Sequence, residues 1–203
     1  MLEPSIGGIK GVICLSTTDA MRKNRSLAAI LLGLSLFLSG CNFTTPKNYF
    51  EQAVLNTNLL HAFGGQGALS DMARPSLKLV PGSNNQTVTM TRAEIVQNQI
   101  NVVQANLVKI KALPDSDETR DMVQTSIKLH ELALATYKGE YVELARLFDT
   151  GASESDKQNK AREIDMKYLN GFRTTYTSLI ELGKAYAAKH NIKVQWDVST
   201  QPT

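Results

Sequence analysis

Residues 123–148 read VQTSIKLHELALATYKGEYVELARLF, and their spacing decides the fold. Val123, Ile127, His130, Leu134, Tyr137, Tyr141, Leu144 and Phe148 recur at alternating steps of four and three. Side chains at that spacing share one helix face, and a seam repeating every 3.5 residues suits lengthwise packing in a bundle. The run therefore predicts a long bundle helix, the third of the chain. Asp115 with Glu118, at the spacing of a reciprocal cap, restarts the chain after Leu113-Pro114.

Both flanks carry the same pattern. Upstream, Val96, Ile100, Val103, Leu107 and Ile110 form the seam of a second helix, opened by Thr91-x-x-Glu94 and stopped by Pro114. Downstream, Gly151 and Ser153-x-x-Asp156 make a turn into a fourth helix over 156–190, with room to bend near Gly171 or Gly183. Its inward positions are Ile164, Tyr168, Phe172, Leu179, Leu182 and Tyr186. Thr45-Pro46 is an N-cap and first-turn pair for a first helix over 46–63, with Phe50, Val54 and Leu60 inward. Gly64-Gly65-Gln66-Gly67 reads as its stop and a hinge; it lacks the preceding strand and the Lys-Ser/Thr pair of a phosphate loop.

Short breaks at 114 and 151 make helices 2, 3 and 4 antiparallel neighbours. The expected fold class is all-α: an up-down four-helix bundle with a long helix 1–2 connection and a short C-terminal strand. That connection, residues 64–90, admits short strands at 77–80 and 87–90. The C-terminal strand is suggested by the apolar–polar alternation of residues 192–198.

The N-terminal fifth of the chain follows different rules. Met21-Arg22-Lys23-Asn24-Arg25 is a basic stretch, followed by the apolar run 27–39 and then Leu38-Ser39-Gly40-Cys41. The run has the length of a secretory signal core and is short for a bilayer span. The last four residues resemble the lipobox of bacterial lipoproteins. There a leucine lies three residues before a cysteine that takes lipid before cleavage. The resemblance implies a signal peptide over 21–40, lipidation of Cys41, a lipidated tether over 41–45 and a helical domain over 46–203. Residues 1–20 have neither pattern and read as an extended leader or as sequence upstream of a start at Met21. Asn42 stands where aspartate favours inner-membrane retention in similar lipoproteins, so the resemblance implies the outer membrane, facing the periplasm.

Charge and cysteine content narrow the function classes. Lys10, Arg22, Lys23, Arg25, Glu3 and Asp19 precede Cys41, leaving a formal net charge of +1 from Cys41 onward out of +3 overall. No Lys/Arg run makes a phosphate-tracking surface, so nucleic acid is not an expected partner. Cys14 lies in the leader, so removal of the leader leaves Cys41 as the last thiol.

Chemistry-bearing motifs are sparse. His61, His130 and His190 lack metal-ligand spacing: no His-Glu-x-x-His, Glu-x-x-His or Cys-x-x-Cys-His occurs. His130 lies on the seam of helix 3 near Tyr137, which allows a ligand-binding role or a core histidine bonded to a tyrosine. The seam tyrosines 137, 141, 168 and 186 either line a cavity or fill the core with their hydroxyls at its edge. Glu140 and Glu143 fall on a face expected to be solvated, while His61 and His190 suit surface or helix-end roles.

The leading expectation is a membrane-anchored envelope lipoprotein, held by lipid on Cys41. Its non-catalytic helical domain would bind a periplasmic or envelope protein or support an assembly, without a cofactor or metal. In leader and helical body it is similar to pilotins, small lipoproteins that escort secretion-channel subunits. The other reading is a ligand-, haem- or metal-binding bundle using His130, Tyr137 and the other seam tyrosines. Residues 64–90 are the natural docking segment, unless Leu69, Met72, Leu77, Leu79 and Val80 fold back over the bundle.

Overall fold

The computed structural model describes residues 44–114 and 116–196; the leader, Cys41, Asp115 and residues 197–203 lie outside them. Among the described residues the fold is all-α, with five helical stretches and one small hairpin.

Helix α1 (Pro46–Ala53) opens as expected, with Thr45 Oγ1 accepting the Asn48 N–H at 3.2 Å. It does not run on to residue 63. At Val54 the chain tightens into a 3₁₀ turn, Leu55–Leu60. Asn56, Thr57 and Asn58 favour local side-chain bonds over a helix, and the Thr57 hydroxyl turns back to the Val54 carbonyl at 2.6 Å.

The largest departure is in the connection. Gly64-Gly65-Gln66-Gly67 opens a helix, α2 (Gly65–Ala73), where the sequence suggested a stop and a hinge. The glycines matter here for lack of a side chain. A Cβ on Gly65 would stand 1.8 Å from the Ala161 carbonyl oxygen, and one on Gly67 would stand 2.2 Å from that of Ala62. Ala68, Leu69 and Met72 of α2 are buried, so this half of the segment does fold back over the bundle.

The other half stands out. Strands β1 (Leu77–Leu79) and β2 (Thr87–Thr89) pair antiparallel, with Leu77 opposite Thr89 and Leu79 opposite Thr87. All six residues are exposed.

Helix α3 (Arg92–Lys111) carries the full reciprocal cap: Thr91 Oγ1 accepts from the Glu94 N–H and the Glu94 carboxylate accepts from the Thr91 N–H. All five expected seam residues are buried. Helix α4 (Arg120–Thr136) passes through a π turn (Tyr137–Tyr141) into α5 (Val142–Asp149), a single rod over 120–149. Glu118 does not cap α4. Its carboxylate instead meets Lys189 at 3.0 Å and His190 Nε2 at 2.7 Å. Leu129 and Ala133, outside the expected seam, are fully buried because α4 packs on two sides, against α3 and the last helix. Gly151, at φ +70°, ends the rod, with the Ala152 N–H on the Leu147 carbonyl and the Gly151 N–H on that of Phe148.

Helix α6 (Glu154–Ile164), capped by Ser153, runs through a second π turn (Asp165–Leu169) into α7 (Asn170–Lys189). Asn191, at φ +53°, closes α7 with the same pair of carbonyl-satisfying bonds, from Ile192 to Ala187 and from Asn191 to Ala188. Ile192, Val194 and Trp196 alternate half-buried with exposed neighbours, but residues 192–196 pair with no strand among the described residues; the last two residues of the expected strand lie outside them. Trp196 packs edge-on against Phe50, ring centroids 5.9 Å apart. Phe50, Ile110, Leu129, Leu144 and Leu179 are essentially inaccessible, each contributing about 1.5–3 kcal/mol of apolar burial.

Candidate functional site

His130 sits at 0% exposure where α1, α3 and α4 meet. Its Nδ1 lies 2.8 Å from the Ser126 carbonyl, which only an N–H can satisfy, so Nε2 is the acceptor for the Asn106 amide at 2.9 Å. Asn106 Oδ1 in turn accepts from Gln52 Nε2 at 2.6 Å and Asn56 Nδ2 at 2.8 Å. The partner of His130 is thus Asn106, not a tyrosine. Asn106 escaped notice in the sequence because it lies beside the α3 seam; a polar residue next to Leu107 was its only signal. Both ring nitrogens are used within the core, and among the described residues no three His, Cys, Asp or Glu side chains converge to hold a metal.

The two π turns form a second constellation, around the start of α2. Tyr141, 2% exposed, accepts the Gly64 N–H at 2.8 Å and donates to the Gly64 carbonyl at 2.9 Å. Gly64 sits at φ +123° and has no side chain to cap α2. Asp165, from the other π turn, replaces that cap, accepting the N–H groups of Gly65 at 2.6 Å and Gln66 at 3.3 Å. The anion-seeking end of α2 is therefore filled by the protein's own carboxylate. Phe63 stacks on Phe172 beneath, ring centroids 4.0 Å apart. Burial pushes the Tyr141 phenol well above its ordinary value, which keeps it a neutral donor.

Beside this latch, Glu140 joins Lys160 at 2.6 Å, Lys167 at 2.9 Å and the Tyr168 hydroxyl at 2.9 Å. The expected solvated face holds for Glu143, paired with exposed Arg146, but not for Glu140, whose side chain is 15% exposed. The Lys160 ammonium, then that of Lys167, holds the Glu140 carboxyl down to about 2 against the opposing effect of burial. A carboxylate so neutralised is a poor proton acceptor at neutral pH.

Tyr137 and Tyr141 border a void of only about 30 Å³, room for about one water. Tyr137 otherwise packs on Tyr141 at 4.5 Å between ring centroids, and Tyr186 on His190 at 4.3 Å. His61 is exposed, with Nδ1 3.0 Å from the Asn58 carbonyl.

His130 and Glu140 each make the stability of the domain depend on pH. Burial pushes the His130 imidazole below its ordinary 6.5. A group whose folded value is depressed stabilises the fold above its unfolded value and loses that contribution as pH falls through the folded one. The His130 contribution is therefore complete above about pH 6.5 and declines below it, whereas that of Glu140 declines from about 4.5 toward about 2. Urea midpoints measured from pH 8 to pH 3 should fall in both windows. His130→Gln should remove the upper decline and leave the lower; an upper decline unchanged in that variant refutes the assignment.

The hairpin is the third feature. Val80 N–H bonds to the Gln86 carbonyl and Met90 N–H to that of Ser76, so the even positions 76, 78, 80, 86, 88 and 90 face each other across the ladder. The backbone groups of Leu77 and Leu79 consequently point outward along the β1 edge. Their side chains are 63% and 57% exposed. Lys78, on the opposite face, is tied to Glu94 of α3, turning the leucine face away from the body.

No helix among the described residues is long and apolar enough to cross a membrane. No protein-family model matches the chain, and neither does any curated protein or solved structure.

Proposed function

We propose that the chain is a lipid-anchored envelope protein, held to the outer membrane through Cys41. Its helical domain performs no catalysis and presents the β1–β2 hairpin to a protein partner in the periplasm. The observation that carries this reading is the raised hairpin, with Leu77, Leu79 and Val88 exposed and no strand among the described residues on the outer edge of β1. Exposed apolar side chains on a free strand edge form a template for pairing that soluble proteins ordinarily cover or charge. Elsewhere, the groups best suited to chemistry are committed to structure: His130 to Asn106, Tyr141 to Gly64, Asp165 to α2. The lipid anchor is supported by Leu38-Ser39-Gly40-Cys41 and the basic, then apolar, leader.

Two measurements test this. Cys41→Ser should shift the protein from the membrane fraction to an unlipidated form of lower mass; unchanged mass and membrane attachment would refute the anchor. Leu77→Asp with Leu79→Asp should alter stability by less than about 0.5 kcal/mol per site, because both side chains are in water. A photo-crosslinker at position 77 in living cells should give a discrete adduct with another envelope protein, and Leu79→Asp should abolish it. Lack of any adduct, or one indifferent to Leu79→Asp, sinks the docking role.

A further inference from the structure

A cleft of about 460 Å³ lies between residues 54–61, α7 and residues 194–196 and shares no lining residue with the hairpin. Its volume is in the range of small-molecule sites. The α7 wall runs from Tyr176 to Lys184, about 12 Å at about 1.5 Å per residue, so the cleft is a trough two helical turns long.

Val54, Leu55, Ile180 and Val194 supply an apolar strip of its lining, beside the polar Asn58, His61, Thr177 and Gln195. The buried hydroxyl of the lining, on Thr57, is already spent on the Val54 carbonyl at 2.6 Å, and Thr177 is an exposed residue. Such a strip suits an apolar body and penalises a polar one laid along it. Tyr176 and Lys184 stand at opposite ends of the α7 wall, and Trp196 lines the trough near Lys184. The Lys184 ammonium is 6.0 Å from the indole centroid and 2.7 Å from Glu181. Both partners of that ion pair are about half exposed, 45% and 63%, so it is weak and readily exchanged for another carboxylate.

We infer that this trough binds a single acyl chain, its alkyl body along Ile180 and Val194 and its carboxylate on Lys184. Elongation and the apolar strip select an extended alkyl chain over a compact polar solute. The exchangeable cation at one end selects an anionic head. The site is independent of the hairpin and of the lipid on Cys41, so its failure leaves the proposed function standing.

Trp196 is the chain's one tryptophan and forms a wall of the trough, so its fluorescence reports occupancy directly. Titrating the full chain with dodecanoate should give a saturable change in emission, with dodecanol binding at least tenfold more weakly. Lys184→Gln should reduce dodecanoate to the affinity of dodecanol while leaving dodecanol unchanged. Ile180→Glu should abolish binding of both. No saturable change, an unaltered dodecanoate affinity in Lys184→Gln, or binding that survives in folded Ile180→Glu would each overturn the inference. Lys184 is exposed, so its substitution tests the site even where Ile180→Glu does not fold.

Discussion

Gly65→Ala is expected to destabilise the domain by about 3 kcal/mol, the upper end of ordinary overpacking. The added methyl would lie 1.8 Å from the Ala161 carbonyl oxygen and 2.7 Å from the Ala161 Cα. These are backbone atoms of a helix whose Ala161 and Ile164 are fully buried, so α6 cannot yield as a side chain would. Helix α2 must move instead. Its displacement would stretch the Gly65–Asp165 bond of 2.6 Å and uncover Ala68, Leu69 and Met72. Gly139→Ala is the control: nothing lies within 4 Å of its added methyl, and it should be neutral or mildly stabilising. Urea denaturation decides. A Gly65→Ala midpoint equal to that of the parent would mean that α2 does not pack on α6 at this distance.

Asn106→Leu should cost about 3 kcal/mol, through orphaned partners more than lost contacts. It strips the His130 Nε2 of its donor and the Gln52 and Asn56 amides of their shared acceptor. A buried polar group left unsatisfied costs about 1–3 kcal/mol, and Gln52 and Asn56, half-buried, regain water in part. His130→Leu should also destabilise, since it orphans the Asn106 amide, whereas the Ser126 carbonyl keeps its helical backbone bond. Because the two residues satisfy each other, the double variant should be less damaged than the sum of the singles, by about 1–2 kcal/mol. Additive losses would show that Asn106 and His130 act separately.

The acyl-chain trough, the hairpin and the polar core differ in how far the sequence announced them. The hairpin strands at 77–79 and 87–89 could be read from turn residues around Pro81-Gly82 and the β-branched Thr87-Val88-Thr89, both local signals. The trough could not. Its walls come from residues 54–61, 176–184 and 194–196, and nothing in any one of these stretches marks it as a site. Asn106 and Asp165 were equally silent, since each acts on residues far along the chain, Asp165 on Gly65 across 100 positions.

The sequence by itself determined the all-α class, because a seam stepping by three and four is a property of one helix and requires no partner to be recognised. It also determined the caps at Thr45 and Thr91, where side chain and backbone lie within three residues of each other. Only the tertiary structure decided that Gly64-Gly65-Gln66-Gly67 opens a helix. Its N–H groups are satisfied by Tyr141 and Asp165, and its glycines are required by the backbone of α6. The physical reason is range. Periodicity and capping are short-range effects written in neighbouring residues, whereas a close approach between helices and a cap lent across the bundle exist only once the chain has packed.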